Sequence, residues 1–300
     1  MTALRPSSEN RKAMGALATM LPDGQRLHLQ YGPIDLVIGA SGPADEINQA
    51  YNQARDAFEP VLDDLVRELP RLRRQHGVPP AGAAARLMYD ATRPFVPEFI
   101  TPMAAVAGSV ADHVLARMIA GRSLTRAYVN NGGDIALHLT DGSFRIGICD
   151  DPVSGESGGL VDIHPEDGIG GIATSGWRGR SHSLGIADAV TVLAGSAAAA
   201  DAAATLIANA VDVPFSPRVS RCAASALSLD SDLGDRLVTT DVGALDPAEI
   251  QAALGLGLRK AEDYLERGLI SAAYLALAGK RVTVTQHQTK TIAPRNAAHA

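Results

Sequence analysis

The sequence predicts an α+β fold, mixed sheets with flanking helices, and three observations carry that prediction. From Ala44 the apolar residues Ile47, Tyr51, Ala54, Phe58, Val61, Leu62 and Leu65 recur mostly at steps of three and four, which marks one face of a long helix. Between residues 127 and 163 short apolar runs are punctuated by Gly, Asp and Pro, as strands joined by turns are. Near the C-terminus, Asp246-Pro247-Ala248-Glu249 combines an N-cap, a first-turn proline and an acid at the third helical position, which starts another helix.

Taken in order, residues 1–24 are polar and turn-rich at both ends and predict an arm. Strands are predicted at 26–31 and 34–38, separated by Gly32-Pro33. The helix from Ala44 should kink or split at Pro60. After Pro79-Pro80 a helix covers 81–89, and the three prolines of 92–102 make a connector. Residues 103–119 read as a helix whose Ala, Gly and Ser allow close backbone approach. Strands follow at 127–130, 135–139, 144–149, 160–163 and 186–193. The helix at 197–211 is apolar nearly all round and should be buried. Helical pattern continues over 260–277, and 281–285 alternates like an edge strand. The layout is one domain over 25–286 with a tail at 287–300, and no repeat at solenoid spacing.

Apolar residues make up 46% and charged residues 20% of the 300, an ordinary globular balance. Aromatics are 4%, so Ala, Val, Leu and Ile must fill the core. A net charge of -6 gives no electrostatic reason to expect nucleic acid. The basic run Arg71, Arg73, Arg74 and His76 closes an amphipathic helix, where it suits the C-terminal dipole. Cys149 and Cys222 are too few for a metal knuckle or a disulfide framework, and read as small core residues. The start, Met1-Thr2-Ala3-Leu4-Arg5-Pro6, has no apolar stretch of signal-peptide type. Asp201 interrupts the longest apolar run, so no membrane span is expected and the chain is placed in the cytoplasm. The oligomeric state stays open, a homo-oligomer included.

Three segments can carry chemistry. Asn130-Asn131-Gly132-Gly133-Asp134 lies between two strand-like runs. Its glycines permit positive φ and leave backbone N–H groups uncovered for a ligand, while Asn-Gly also signals a tight hairpin. The two readings are compatible. The second segment, 171–183, gathers Thr174, Ser175, Gly176, Trp177, Arg178, Arg180, His182 and Ser183. Such a loop can stack a planar ring on Trp177 and hold an anion with Arg178 or Arg180; equally, it is a polar surface loop whose tryptophan plugs a gap. An unperturbed histidine titrates near neutrality, so His182 is a candidate acid or base, or a hydrogen-bonded structural residue. Asp188 either orients the His182 loop or caps a turn. The third segment places Asp201 and Thr205 four apart on one helical face. A buried carboxylate needs a partner, and oxygen-only donors suit Mg2+, while backbone N–H groups or an arginine serve as well.

In this order the segments resemble a family. Asn-Gly-Gly-Asp at 131–134, Ala-Thr-Ser-Gly at 173–176 and Ala-Asp-x-x-x-Thr at 200–205 are similar to the motif series of the ApbE-like superfamily. The match is closer to an uncharacterised, UPF-type branch. That branch carries Met103-Ala104-Ala105-Val106-Ala107-Gly108 and a His182–Leu184 segment leading to Ala187-Asp188-Ala189-Val190-Thr191-Val192. The resemblance covers roughly residues 100–212. It implies an ApbE-like, T-fold-related framework in which FAD or FMN lies on the glycine segment. It also implies Mg2+ held by Asp201, Thr205 and the carbonyl of Ala173. The Asp-Pro-x-Thr-Gly stretch usual in flavin transferases is absent after the Ser-Gly turn; Asp151-Pro152-Val153-Ser154-Gly155 lies before it.

The expected function is therefore an enzyme acting on a flavin- or pterin-like small-molecule ligand. In it His182, Asp188 and Ser175 are the catalytic candidates, and Asn131, Gly132, Gly133, Asp134, Thr174, Ser175, Gly176, Trp177, Arg178, Arg180 and Ser183 the binding ones. Two alternatives are a non-catalytic flavin- or nucleotide-binding protein and an FAD:protein FMN transferase.

Overall fold

Leu27 and Leu29 face Ile38 and Leu36 across two neighbouring strands, and all four are buried. That alternation seeds one end of a large sheet. The computed structural model describes residues 15–75, 77–151 and 156–285. Strands β1 (Leu17–Met20), β2 (Leu27–Tyr31) and β3 (Ile34–Ser41) lie side by side. Four helices follow, α1 (Ala44–Phe58), α2 (Val61–Leu72), α3 (Ala83–Thr92) and α4 (Val106–Ile119). The chain then returns as β4 (Arg126–Asn131) and β5 (Asp134–Leu139). A ribbon of β6 (Phe144–Asp151) and β7 (Glu156–Ile163) leaves the sheet, and β8 (Gly171–Ser175) and β9 (Ala189–Ala194) rejoin it. Helix α5 (Ala197–Ala210) leads to a small ribbon of β10 (Val219–Ala223) and β11 (Leu237–Val242) around the short α6 (Ala224–Leu227). Helix α7 (Pro247–Glu266), β12 (Ala272–Leu277) and β13 (Lys280–Thr285) complete the order.

The large sheet runs β1-β2-β3-β4-β5-β8-β9-β12-β13. Every described pairing in it is antiparallel, so the mixing lies between helices and strands rather than in strand direction. Its order reveals two similar halves, each made of two strands, a helical excursion and two strands. The first is β2-β3, α1 to α4, β4-β5; the second is β8-β9, α5 to α7, β12-β13. They join where Ile135 pairs with Ile172. Helices cover one face over two apolar cores, one per half. The β6–β7 ribbon covers the other face at the centre, through Ile163 against Leu137, Ile172 and Leu193, and through Ile148 against Tyr274.

Small residues let the halves meet closely. A Cβ on Gly108 in α4 would lie 2.3 Å from the Ala197 carbonyl oxygen at the start of α5, so only glycine fits. Helix α5 is buried nearly all round, as its composition predicts.

The chain divides at Glu59-Pro60 into α1 and α2, where proline was expected to kink or split the helix. Five elements differ from expectation. Strand β1 lies within the expected arm. Residues 171–175, read as loop, form a central strand with Ile172 and Ala173 buried on opposite faces. The apolar run Ala272–Leu277, read as helix, is a strand between β9 and β13. Gly268, at φ +69°, stands just past the end of α7, and a short apolar run does not by itself tell a buried strand from a helix. Strands β10 and β11 were not anticipated. His76, the 152–155 part of the Asp-Pro stretch and the tail from Gln286 lie outside the described residues. No helix among the described residues is long and apolar enough to cross a membrane.

Candidate functional site at the junction of the two halves

The β4–β5 turn is a two-residue hairpin. Asn131 pairs with Asp134, and Gly132 and Gly133 take φ +66° and +114°, which glycine adopts without strain. The Asn130 side chain accepts the Gly133 N–H at 2.8 Å, and buried Asn131 donates to the Ala107 carbonyl at 3.1 Å. Hairpin geometry thus leaves both glycines exposed at the end of the sheet.

Asp134 opens β5 and accepts the Thr174 N–H at 3.1 Å, so the first two motifs meet across the β5–β8 seam. Asp201 stands one turn into α5 and accepts the Gly108 N–H at 3.0 Å. Burial pushes the Asp134 carboxyl up to about 7, against the N–H of Thr174 and the charge of Arg180. Burial likewise raises Asp201 well above the usual carboxylate range, and the negative charge of Asp134 raises it further. Like charges near one another raise each other's proton affinity. Among the described residues no arginine closes an ion pair with Asp201. Thr205, one turn on, donates to the Ala104 carbonyl at 3.5 Å.

Ala173 is buried inside β8, opposite Val192 of β9. Because the Thr174 N–H points towards β5, strand alternation turns the Ala173 carbonyl towards β9. Asp134, Asp201 and Thr205 offer oxygen donors alone, the chemistry of a hard cation. Among the described residues no group of three or more His, Cys, Asp or Glu side chains is arranged to hold a metal.

Arg180 approaches from the following loop. Its Nη2 lies 2.0 Å from where a Cβ on Gly132 would stand, so the guanidinium rests on the glycine turn beside Asp134. Trp177 and Arg178 are otherwise engaged. The Asp188 carboxylate accepts the Trp177 indole N–H at 3.2 Å, Arg178 Nε at 3.0 Å and the Ala278 N–H at 2.7 Å. Arg178 also stacks on the Trp177 ring, 4.7 Å from its centroid. Asp188 therefore ties this loop to the β12–β13 turn. Ser183 is buried, with its hydroxyl donating to Asn209 at 3.3 Å and accepting the Gly185 N–H at 3.2 Å. The Thr174 hydroxyl meets that of Thr191 at 2.8 Å. His182 is exposed on the rim, Ser175 is half-buried at the end of β8, and Gly176 is buried beside the Asp188 carbonyl.

Sequence reasoning missed Asp112. It accepts the Ala197 and Ala198 N–H groups at 3.0 and 2.8 Å, and burial raises its carboxyl to about 6. The available signal was an acid on a helix otherwise rich in small residues. An open groove of about 590 Å³ beside α2, lined by Asp64, Arg67, Glu68 and Arg71, lies apart from these motifs. Its charges pair with one another, Arg67 with Asp64 and Arg71 with Glu68.

Comparison with known proteins finds a family match over most of the chain. The profile of a family described as AbpE bacteria matches residues 18–283. A UPF0280 protein of Methanopyrus kandleri is 40% identical over 133 residues, covering 43% of this chain and 49% of that protein. One from Archaeoglobus fulgidus is 40% identical over 113 residues, covering 37% and 45%. The chain spans about half the length of the curated relatives it matches. Among solved structures, the flavin transferase ApbE from Vibrio cholerae aligns over 90% of this chain and 97% of its own, with 14% identity and a TM-score of 0.46. The apo flavinyl transferase ApbE of Pseudomonas stutzeri aligns over 91% and 95%, with 14% identity and a TM-score of 0.44.

Proposed function

The chain belongs to the family described as AbpE bacteria, and from that premise we propose that it binds a phosphorylated, flavin- or nucleotide-like small molecule at the β4–β5 turn. The observation that carries this reading is the pair of carboxylates, Asp134 and Asp201. Each is held above its ordinary proton affinity by burial, and Asp201 further by the charge of Asp134. Such a pair favours a proton or a cation between its members. Asp134, Asp201 and Thr205 would hold the cation, with Mg2+ suited to their oxygen donors. Bound there, it would neutralise a phosphate. Ala173 has no part in this set, since its carbonyl faces the β8–β9 ladder.

The chain's own residues supply the rest. Gly132 and Gly133 open the backbone to the ligand, and Arg180 stands over them as the anion-binding side chain. Thr174 keeps Asp134 oriented through its N–H. Binding without turnover is favoured over catalysis because the catalytic candidate Asp188 is taken up by structural hydrogen bonds. Exposed His182 and half-buried Ser175 stand as the remaining catalytic candidates.

Equilibrium binding of FMN, FAD and riboflavin, each with and without Mg2+, tests the reading. The nucleotides should bind more tightly than riboflavin, and only they should gain from Mg2+. Arg180→Ala should erase the difference. Equal binding of all three, or none, would overturn it.

A further inference from the structure

We propose that Asp112 is a positioning residue of this site: it fixes α5 against α4 and thereby sets where the Asp201 carboxylate stands. The proposal rests on the reading of Asp201 as a ligand-facing group, although its test requires no ligand.

The two helices cap each other. The first N–H groups of a helix lack partners within it. Asp112, in the second turn of α4, accepts two such donors of α5, from Ala197 and Ala198. Asp201, in the second turn of α5, accepts such a donor of α4 from Gly108 and faces the Ala107 N–H as well. The ring closes where the chain has no slack, because the Gly108 Cα is pressed against the Ala197 carbonyl. A shift of α5 along α4 must break the bonds of both carboxylates. Since α4 belongs to the first half and α5 to the second, the same ring fixes the seam that Asp134 and Thr174 span.

Helix α5 also has a cap of its own. Ser196 accepts the Ala199 N–H at 3.2 Å, and its side chain also hydrogen-bonds Asp112. Its loss weakens the same helix end and removes one partner of Asp112, but leaves the two backbone bonds that join the helices in place.

Amide hydrogen exchange of the full chain, without added cation, reads the difference. Asp112→Asn keeps the shape and leaves one acceptor oxygen. It should speed exchange at Gly108 about fivefold, the coupling expected within one hydrogen-bond network, although Asp112 makes no bond to Gly108. Ser196→Ala should speed exchange at Ala199 and affect Gly108 much less than Asp112→Asn does, because both backbone bonds to Asp112 remain. Should Asp112→Asn fail to fold, Asp112→Glu, which retains the charge and moves it by one methylene, carries the same comparison. Unchanged exchange at Gly108 in the Asp112 variant would overturn the proposal. So would an equal acceleration by Ser196→Ala, which would reduce Asp112 to a helix cap. Failure of Mg2+ or nucleotide binding by the wild-type chain would instead count against the proposed function.

Discussion

The Thr174 N–H donates to the Asp134 carboxylate across 3.1 Å, joining two residues 40 positions apart at the seam between the two halves of the sheet. Around this bond lie the glycine turn, Arg180 and the Asp201 helix, so small changes here should have distinct and separable effects.

Stability of the cation-free protein should fall as pH rises. Burial raises Asp134 to about 7 and Asp112 to about 6, both above the ordinary 3.8. A carboxyl raised in the folded state binds its proton more tightly there than when unfolded. Its contribution is full below about pH 4 and is lost as pH climbs through 6 and 7. Thermal melts should therefore show a higher Tm at pH 5.5 than at pH 8, with a smaller gap in Asp134→Asn. An unchanged gap in that variant would contradict the assignment to Asp134.

Two glycine substitutions should differ in kind. In Gly108→Ala the new Cβ meets the backbone of Ala197, so urea denaturation should show a loss of about 3 kcal/mol or more. In Gly132→Ala the Cβ meets the end of the Arg180 side chain, which can move. The loss should be about 1–2 kcal/mol, mostly from the positive φ, with nucleotide binding weakened further as Arg180 is displaced.

Asp188→Ala should act as a structural lesion. It removes the acceptor of Trp177, Arg178 and Ala278 together, at a cost of about 2–4 kcal/mol. Trp177 is the only tryptophan, so its fluorescence emission should move to the red as the loop loosens. Unchanged emission would show that Asp188 does not hold this loop.

The chain should not attach FMN to a threonine-bearing acceptor peptide when FAD and Mg2+ are supplied. Phosphoryl transfer depends on positioning. The segment with Asp-Pro-x-Thr-Gly, which follows the Ser-Gly turn in the transferases this sequence resembles, is replaced by His182-Ser183-Leu184-Gly185, with Ser183 bound to Asn209. Mass spectrometry of the acceptor, beside an authentic transferase, checks this. An FMN-sized increase would restore transfer as the function.

Local chemistry was legible in the sequence. Gly132-Gly133 makes the predicted hairpin, and Asp246 with Glu249 makes the predicted capping box, because both depend on neighbours within a few residues. The Asp201–Thr205 spacing put both on one helical face for the same reason. Asp112 was not legible, because its partners lie 85 and 86 positions away. The role of Asp188 was hidden similarly, since Ala278 reaches it from the β12–β13 turn. Strand β8 was missed because its glycine and hydroxyl residues suggest a loop. Pairing with β5 on one side and β9 on the other makes it a strand.

The central claim, that Asp134 and Asp201 share a cation, is tested most directly by calorimetric titration of Mg2+ into the wild-type chain, Asp134→Asn and Asp201→Ala at pH 6 and pH 8. Saturable binding is expected in the wild type, tighter at pH 8 because protons compete for the raised carboxyls, and lost in Asp201→Ala. Binding absent from the wild type, or retained in Asp201→Ala, would contradict it.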